Sequence, residues 1–239
     1  MKKIFISLLT LAMSAAILSA QGNDSETYDY AGRFYFAVQG GAHVSASENA
    51  YSYRKEGRMT DLIKPQGYVS LGYDFSRAFG ARFSVGYGTE ASAYNYKESF
   101  EFFRPYNFVG IEAFADFIVN LKGLGNKVGP FNPKLYVGLG YARTWGMEDA
   151  YDNYVPHWAE KYRTDPNNCF GFRGGFIAEY DFKCGFGLFC DLGAELFSDS
   201  FNGQNPRQWE GDTKYYNPAD PGFPFDLRVA ASFGLVYHF

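Results

Sequence analysis

From Phe225 to Phe239 the odd positions read Phe225, Leu227, Val229, Ala231, Phe233, Leu235, Tyr237 and Phe239, and the even ones Asp226, Arg228, Ala230, Ser232, Gly234, Val236 and His238. One face is apolar throughout; the other is small, polar or charged apart from Val236. A period of two held over so many residues predicts a strand much longer than the roughly five or six residues usual in soluble sheets. The same alternation returns upstream in seven runs, whose apolar faces are Phe34 to Ala42, Val69 to Phe75, Phe79 to Tyr87, Val109 to Val119, Leu135 to Tyr141, Phe170 to Phe182 and Phe186 to Leu196. Eight strands are therefore expected. The links 75–78, 121–133 and 183–185 are short, and the links 45–64, 91–105, 146–168 and 198–224 are long. Short turns at one end and long loops at the other predict an all-β protein, an eight-stranded antiparallel up-and-down transmembrane β-barrel.

The polar faces decide what lies inside. Hydrocarbon admits strands only when the sheet closes and leaves no unpaired edge. Eight strands enclose a space that side chains can fill. The expected lumen carries Arg33, Arg82, Lys134, Arg173 and Arg228 against Glu90, Glu112, Asp116, Glu179, Asp191 and Glu195. Five positive and six negative groups predict a nearly balanced network of ion pairs. Gly72, Gly86, Gly88, Gly110, Gly138, Gly140, Gly175, Gly187, Gly193 and Gly234 share that face, and such positions could leave gaps for water. A soluble barrel of lipocalin type would place the large apolar residues inside instead. The strand length, the glycine density on the polar face and the apolar C-terminal stripe favour the membrane orientation. Tyr73, Phe75, Phe79, Phe182, Phe186, Tyr237 and Phe239 would form an aromatic girdle at the short-turn rim, and Tyr87, Tyr94, Tyr141, Trp145 and Phe225 one at the other.

Composition and charge narrow the setting. Lys2 and Lys3 precede an apolar run, Ile4 to Ile17, which reads as an export signal over residues 1–20, cut after Leu18, Ser19 and Ala20 and leaving a barrel domain at 21–239. Loss of the two lysines takes the formal charge from -4 to -6. An acidic chain without a basic stripe excludes nucleic acid as a partner. The 20 Tyr, 25 Phe and 27 Gly are many for a soluble domain, and no stretch after Leu18 is a candidate helical span. Cys169, Cys184 and Cys190 have no metal-binding spacing and are expected as free thiols, Cys190 facing lipid.

Little else speaks for chemistry. His238 falls on the inner face near the short-turn end and is expected to hydrogen-bond there, while His157 sits in a long loop. His43 and Ser45 share the inner parity and have the residue types of a base and nucleophile, but no acidic orienter is assignable, Glu48 being within reach only if its loop folds back. No catalytic residue, cofactor or metal is expected. The loops hold Tyr51, Tyr53, Tyr94, Tyr96, Tyr151, Tyr154, Trp158, Tyr162, Trp209, Tyr215 and Tyr216, side chains suited to contacts with proteins or glycans.

The chain resembles the small outer-membrane barrels of Gram-negative bacteria, the porin-like β-barrel family that includes the transmembrane domain of OmpA and the OmpX and OmpW proteins. The resemblance runs from about Gly32 to Phe239 and is sharpest at the ending Phe233, Leu235, Tyr237 and Phe239, which looks like the terminal signal read by the outer-membrane assembly machinery. The Ala20–Gln21 junction and the Tyr and Gly richness resemble proteins of the Bacteroides group. The resemblance implies a cell outer-membrane location with both termini periplasmic. Outer-membrane lipids and lipopolysaccharide surround such a barrel, and the assembly machinery inserts it. The expected function is noncatalytic, structural or surface-interacting, performed by a monomer whose loops meet a surface protein or glycan. The alternatives are a narrow porin for small solutes and, less favoured, a lipid A-modifying acyl hydrolase.

Overall fold

The computed structural model describes residues 28–45, 59–95, 103–147, 166–198, 201 and 225–239. Eight strands, β1 (Arg33–Ser45), β2 (Ile63–Asp74), β3 (Phe79–Asn95), β4 (Phe103–Asn120), β5 (Phe131–Trp145), β6 (Asn167–Asp181), β7 (Phe186–Ser198) and β8 (Phe225–His238), pair antiparallel in sequence order. β1 also pairs with β8, from Tyr35 opposite His238 to Ser45 opposite Arg228, so the sheet is a closed barrel without an edge. A backbone bond of 3.0 Å from Phe239 to the Phe34 carbonyl ties the last residue to the seam, and one of 2.8 Å from His238 to the Gly185 carbonyl ties that residue to the turn between β6 and β7.

Strand alternation dictates the two surfaces. Phe34, Phe36, Leu71, Phe83, Val137, Leu139, Phe172, Phe233 and Leu235 point outward and are exposed, while Arg82, Asp116, Arg173, Glu195 and Arg228 point inward and are buried. The short-turn end, called lower here, carries aromatic contacts along its rim: Phe34 with Tyr73, Phe79 with Phe117, and Phe186 with Tyr237, at 4.6, 5.8 and 4.7 Å between ring centres. At the upper rim Tyr141 meets Phe170 and Phe172 meets Phe225, at 6.2 and 6.3 Å.

The lower turns have local causes. The Ser76 hydroxyl accepts from the amides of Ala78 and Phe79. The Asn120 side chain accepts from the Lys122 and Gly123 amides and starts a single helical turn, α1 (Leu121–Leu124). At 182–185 the chain reverses through Gly185, whose φ of +83° suits glycine.

The third and fourth strands run further than their alternation predicts. β3 and β4 stay paired up to Asn95 opposite Phe103, so most of the expected long link 91–105 is ladder. Small residues, Ala91, Ser92 and Ala93, erase the apolar rhythm there without breaking the backbone pairing. β2 likewise begins at Ile63, because Pro65 and Gly67 dilute its outer face. The export segment 1–20, Glu48, His157 and the loop aromatics Tyr51, Tyr53, Tyr96, Tyr151, Tyr154, Trp158, Tyr162, Trp209, Tyr215 and Tyr216 lie outside the described residues, as does the side chain of Tyr94. All three cysteines are free; Cys169 is buried, Cys190 partly exposed and Cys184 exposed at the 182–185 turn.

Candidate functional site

Most of the inner glycines are filled positions. Tyr35 lies directly opposite Gly72, Tyr68 opposite Gly86, Phe114 opposite Gly140, Tyr136 opposite Gly175 and Phe189 opposite Gly234. A methyl group on any of these glycines would fall 2.0 to 2.6 Å from the facing ring or its hydroxyl. The ring always sits on the earlier strand and the glycine on the next, so the side chains lean one way round the barrel. Carboxylates obey the same rule: Asp74 lies over Gly80, Asp116 over Gly138 and Asp181 over Gly187. The possibility that the inner glycines leave gaps for water is therefore not met at these positions; at Gly88 and Gly110 the nearest atoms belong to Pro65, Gln66 and Thr144, at 3.2 to 3.4 Å. The missing Cβ atoms let rings and carboxylates lie across the wall and fill the lumen.

Charges then tie the wall across its diameter. In the upper layer Arg228 of β8 donates to Glu90 of β3 at 2.5 Å, to both oxygens of Glu112 of β4 at 2.7 and 2.6 Å, and to Glu195 of β7 at 2.5 Å. The same guanidinium donates to the Tyr68 hydroxyl, which in turn donates to Glu195. Its carbon stands 4.9 Å from the centre of the Phe197 ring, itself stacked on Phe201 at 4.1 Å. His43 belongs to this layer. Its Nδ1 meets Gln66 Oε1 at 2.9 Å, and its Nε2 faces Glu90 Oε2 at 2.8 Å, an ion-pair distance when the ring is protonated. The acidic neighbour of His43 is thus Glu90, which sequence spacing does not reveal.

The middle layer centres on Asp116, which receives Arg82 at 2.7 Å and a two-point contact from Arg173 at 2.7 and 2.6 Å. Arg82 extends to Asp191 at 3.5 Å, and Tyr136 donates to Asp191 at 2.9 Å. The Arg173 guanidinium rests 4.3 Å from the centre of the Phe114 ring. Gln39 and Ser232, and Ser70 and Ser84, complete the layer through hydrogen bonds of 2.8 and 2.9 Å.

In the lower layer Lys134 donates to Glu179 at 2.5 Å and Asn132 donates to Asp181 at 2.7 Å. His238 is buried here, but the expected hydrogen bond is not made. Its Nε2 stands 3.5 Å from Glu179 Oε1 and 3.5 Å from Asp181 Oδ1, and its Nδ1 stands 3.9 Å from Asp74 Oδ2. Its ring stacks on Tyr30 at 3.8 Å. The chain from Tyr28 to Gly32 lies across this mouth, pinned by Arg77, which donates to Asp29 at 2.6 Å and to Asn126 at 2.9 Å. That guanidinium holds the Asp29 carboxyl below its ordinary value. A cavity of about 30 Å³ opens among Tyr30, Asp74, Asn132, Lys134 and Glu179, room for a water or two.

Ten of the eleven expected lumen charges sit in these layers. Arg33 does not: as the first residue of β1 it lies below the last closed layer, exposed, with its guanidinium 5.9 Å from the centre of the Tyr30 ring. Asp74 and Asp181, both of inner parity, join the lower layer instead. The expected near-balance is therefore lost, and the lower layer is acidic. Phe233, Leu235, Tyr237 and Phe239 all lie on the outward face of the last strand.

No protein-family model and no curated protein sequence matches the chain. Solved structures do. The N-terminal β-barrel domain of Pseudomonas aeruginosa OprF aligns over 87% of this chain and 99% of that one, at 10% identity and a TM-score of 0.42. Neisserial surface protein A aligns over 86% and 97%, at 13% identity and 0.44. A major outer membrane protein of Thermus thermophilus aligns over 86% and 99%, at 16% identity and 0.46.

Proposed function

We propose that this chain is a noncatalytic, monomeric outer-membrane barrel with a plugged lumen, a rigid anchor that displays its long upper loops at the cell surface. The observation that carries the reading is the inversion of the two surfaces. A continuous belt of Phe, Leu, Val and Ile faces outward while ion pairs run across the interior. Soluble monomers rarely expose apolar patches beyond a few hundred Å². Leaving such side chains in water forgoes about 1.5 to 3 kcal/mol each, and hydrocarbon removes that cost. A closed sheet also meets the demand that no backbone group be left unpaired in lipid.

On this reading the segment 1–20 directs export, the stripe Phe233, Leu235, Tyr237 and Phe239 engages the assembly machinery, and both termini and the short turns face the periplasm. Lipids and lipopolysaccharide contact the outer belt. In this proposal the loop aromatics, by their residue type, contact a surface protein or glycan. The narrow-pore reading loses most of its support, because rings and carboxylates occupy the space over most of the inner glycines, Gly88 and Gly110 excepted.

Folding into lipid vesicles tests the orientation. Phe233→Arg places a charge on the outer belt and is expected to cost about 2 to 4 kcal/mol near the bilayer midplane. Ser232→Arg, one residue away in the lumen, is expected to insert with a different and smaller penalty on membrane binding. Equal and negligible effects of the two on insertion would overturn the assignment of the faces.

A further inference from the structure

We propose that His238, Glu179 and Asp181 form a divalent-cation site of zinc type at the lower mouth of the barrel, beyond the anchoring role argued above and against the sequence expectation of no metal. The three residues come from two strands that are not neighbours, and one ligand atom from each can be chosen so that all lie within 4.8 Å of one another. Asp181 reaches His238 over Gly187, where a Cβ would lie 2.5 Å from its Oδ1.

Three features, the first two linked, point to a cation. The first is orphaned polarity: among the described residues His238 Nδ1, His238 Nε2 and Asp181 Oδ1 have no hydrogen-bond partner, and the His238 and Asp181 side chains have no exposed surface. Buried polar groups are nearly always satisfied, so a cluster of orphans calls for a ligand. The second is spacing. His238 Nε2 stands 3.5 Å from both Glu179 Oε1 and Asp181 Oδ1, too long for good hydrogen bonds. Two ligand atoms bound to one tetrahedral zinc at its usual bond lengths of about 2.0 to 2.2 Å lie about 3.3 to 3.5 Å apart. The third is charge. Among the described residues Lys134 is the only cation other than the imidazole beside Asp74, Glu179 and Asp181 in this layer, so with His238 neutral the layer carries two excess negative charges. One divalent cation cancels both, whereas a proton on His238 cancels only one.

Ligand chemistry selects the metal class. One imidazole and two carboxylates with a fourth position left to water fit zinc better than magnesium or calcium, which prefer all-oxygen shells. A cavity of about 30 Å³ borders Glu179, with room for a water; His238 and Asp181 do not line it. Tyr30, stacked on the imidazole, fixes the ring plane.

The test is calorimetric titration with Zn2+ of protein purified from membranes in detergent and stripped with a chelator. One saturable equivalent is expected for the wild type and for His43→Gln, which alters the histidine of the upper layer. His238→Gln and Asp181→Asn are each expected to bind about a hundredfold more weakly or not at all, since loss of even an outer-sphere partner costs about 10- to 100-fold. Gel mobility of unheated samples reports whether each variant is folded. If His238→Gln does not fold, the zinc-edge absorption spectrum of the loaded wild type carries the test with Asp181→Asn: a nitrogen and oxygen shell containing one imidazole supports the site. No saturable binding by folded wild type, binding unchanged in the folded variants, or a shell with sulfur or without imidazole would overturn it.

Discussion

The two ends of the lumen are built from the same residue types and reach different outcomes. At the upper end one guanidinium, Arg228, is shared by Glu90, Glu112 and Glu195, and each of those carboxylates has a charged partner. At the lower end Lys134 pairs with Glu179, but among the described residues His238, one oxygen of Asp181 and the Tyr30 hydroxyl are left without hydrogen bonds. The upper end has two such atoms, His43 Nε2 and Glu90 Oε2, but they face each other at 2.8 Å, whereas His238 stands 3.5 Å from its nearest carboxylates. A satisfied buried network holds a structure together; a partly satisfied one costs stability unless something completes it. The upper end therefore reads as a structural cross-brace and the lower end as a place to bind.

The largest break in this contrast is Arg228→Met. It takes the guanidinium from three buried carboxylates, leaving Glu90 with His43 and Glu195 with Tyr68, and loss of one partner from a buried charge cluster typically costs about 3 to 5 kcal/mol. Urea unfolding of the refolded barrel in vesicles should show a loss of that size, and a change below about 1 kcal/mol would mean the layer is hydrated and not braced. Next is Gly86→Val, which forces a side chain into the Tyr68 ring that lies over that glycine and supports Arg228. Overpacking of this kind costs about 1 to 3 kcal/mol. The smallest effect is expected at the lower end. In metal-free protein His238→Gln removes a stack on Tyr30 and no hydrogen bond, so unfolding should shift by about 0.5 to 1.5 kcal/mol. A loss as large as that at Arg228 would erase the distinction between the two ends.

The barrel was legible because its code is local. Alternation at Phe225 to Phe239, and at the other runs, assigns each side chain to a face without reference to any other strand. The contacts within the lumen depend on register, which the sequence discloses only where a turn is short. The link 75–78 between β2 and β3 is tight enough to align Tyr68 with Gly86. Tyr35 with Gly72, Phe114 with Gly140 and Phe189 with Gly234 are aligned across connections of other lengths, and so the glycines read as gaps. The candidate cation site was hidden for a similar reason. Glu179 and Asp181 stand two apart on β6, but His238 lies two strands away, and no short spacing joins them. Arg33 was misplaced because parity gives direction and not height; it points to the inner side at a level where the barrel has ended.

The central claim is that aromatic rings over glycines and ion pairs across the diameter close the lumen to solutes. Single-channel recording of verified folded barrel in a planar bilayer at high salt tests it most directly. A silent membrane is expected. Well-defined, reproducible openings at substantial conductance would contradict it.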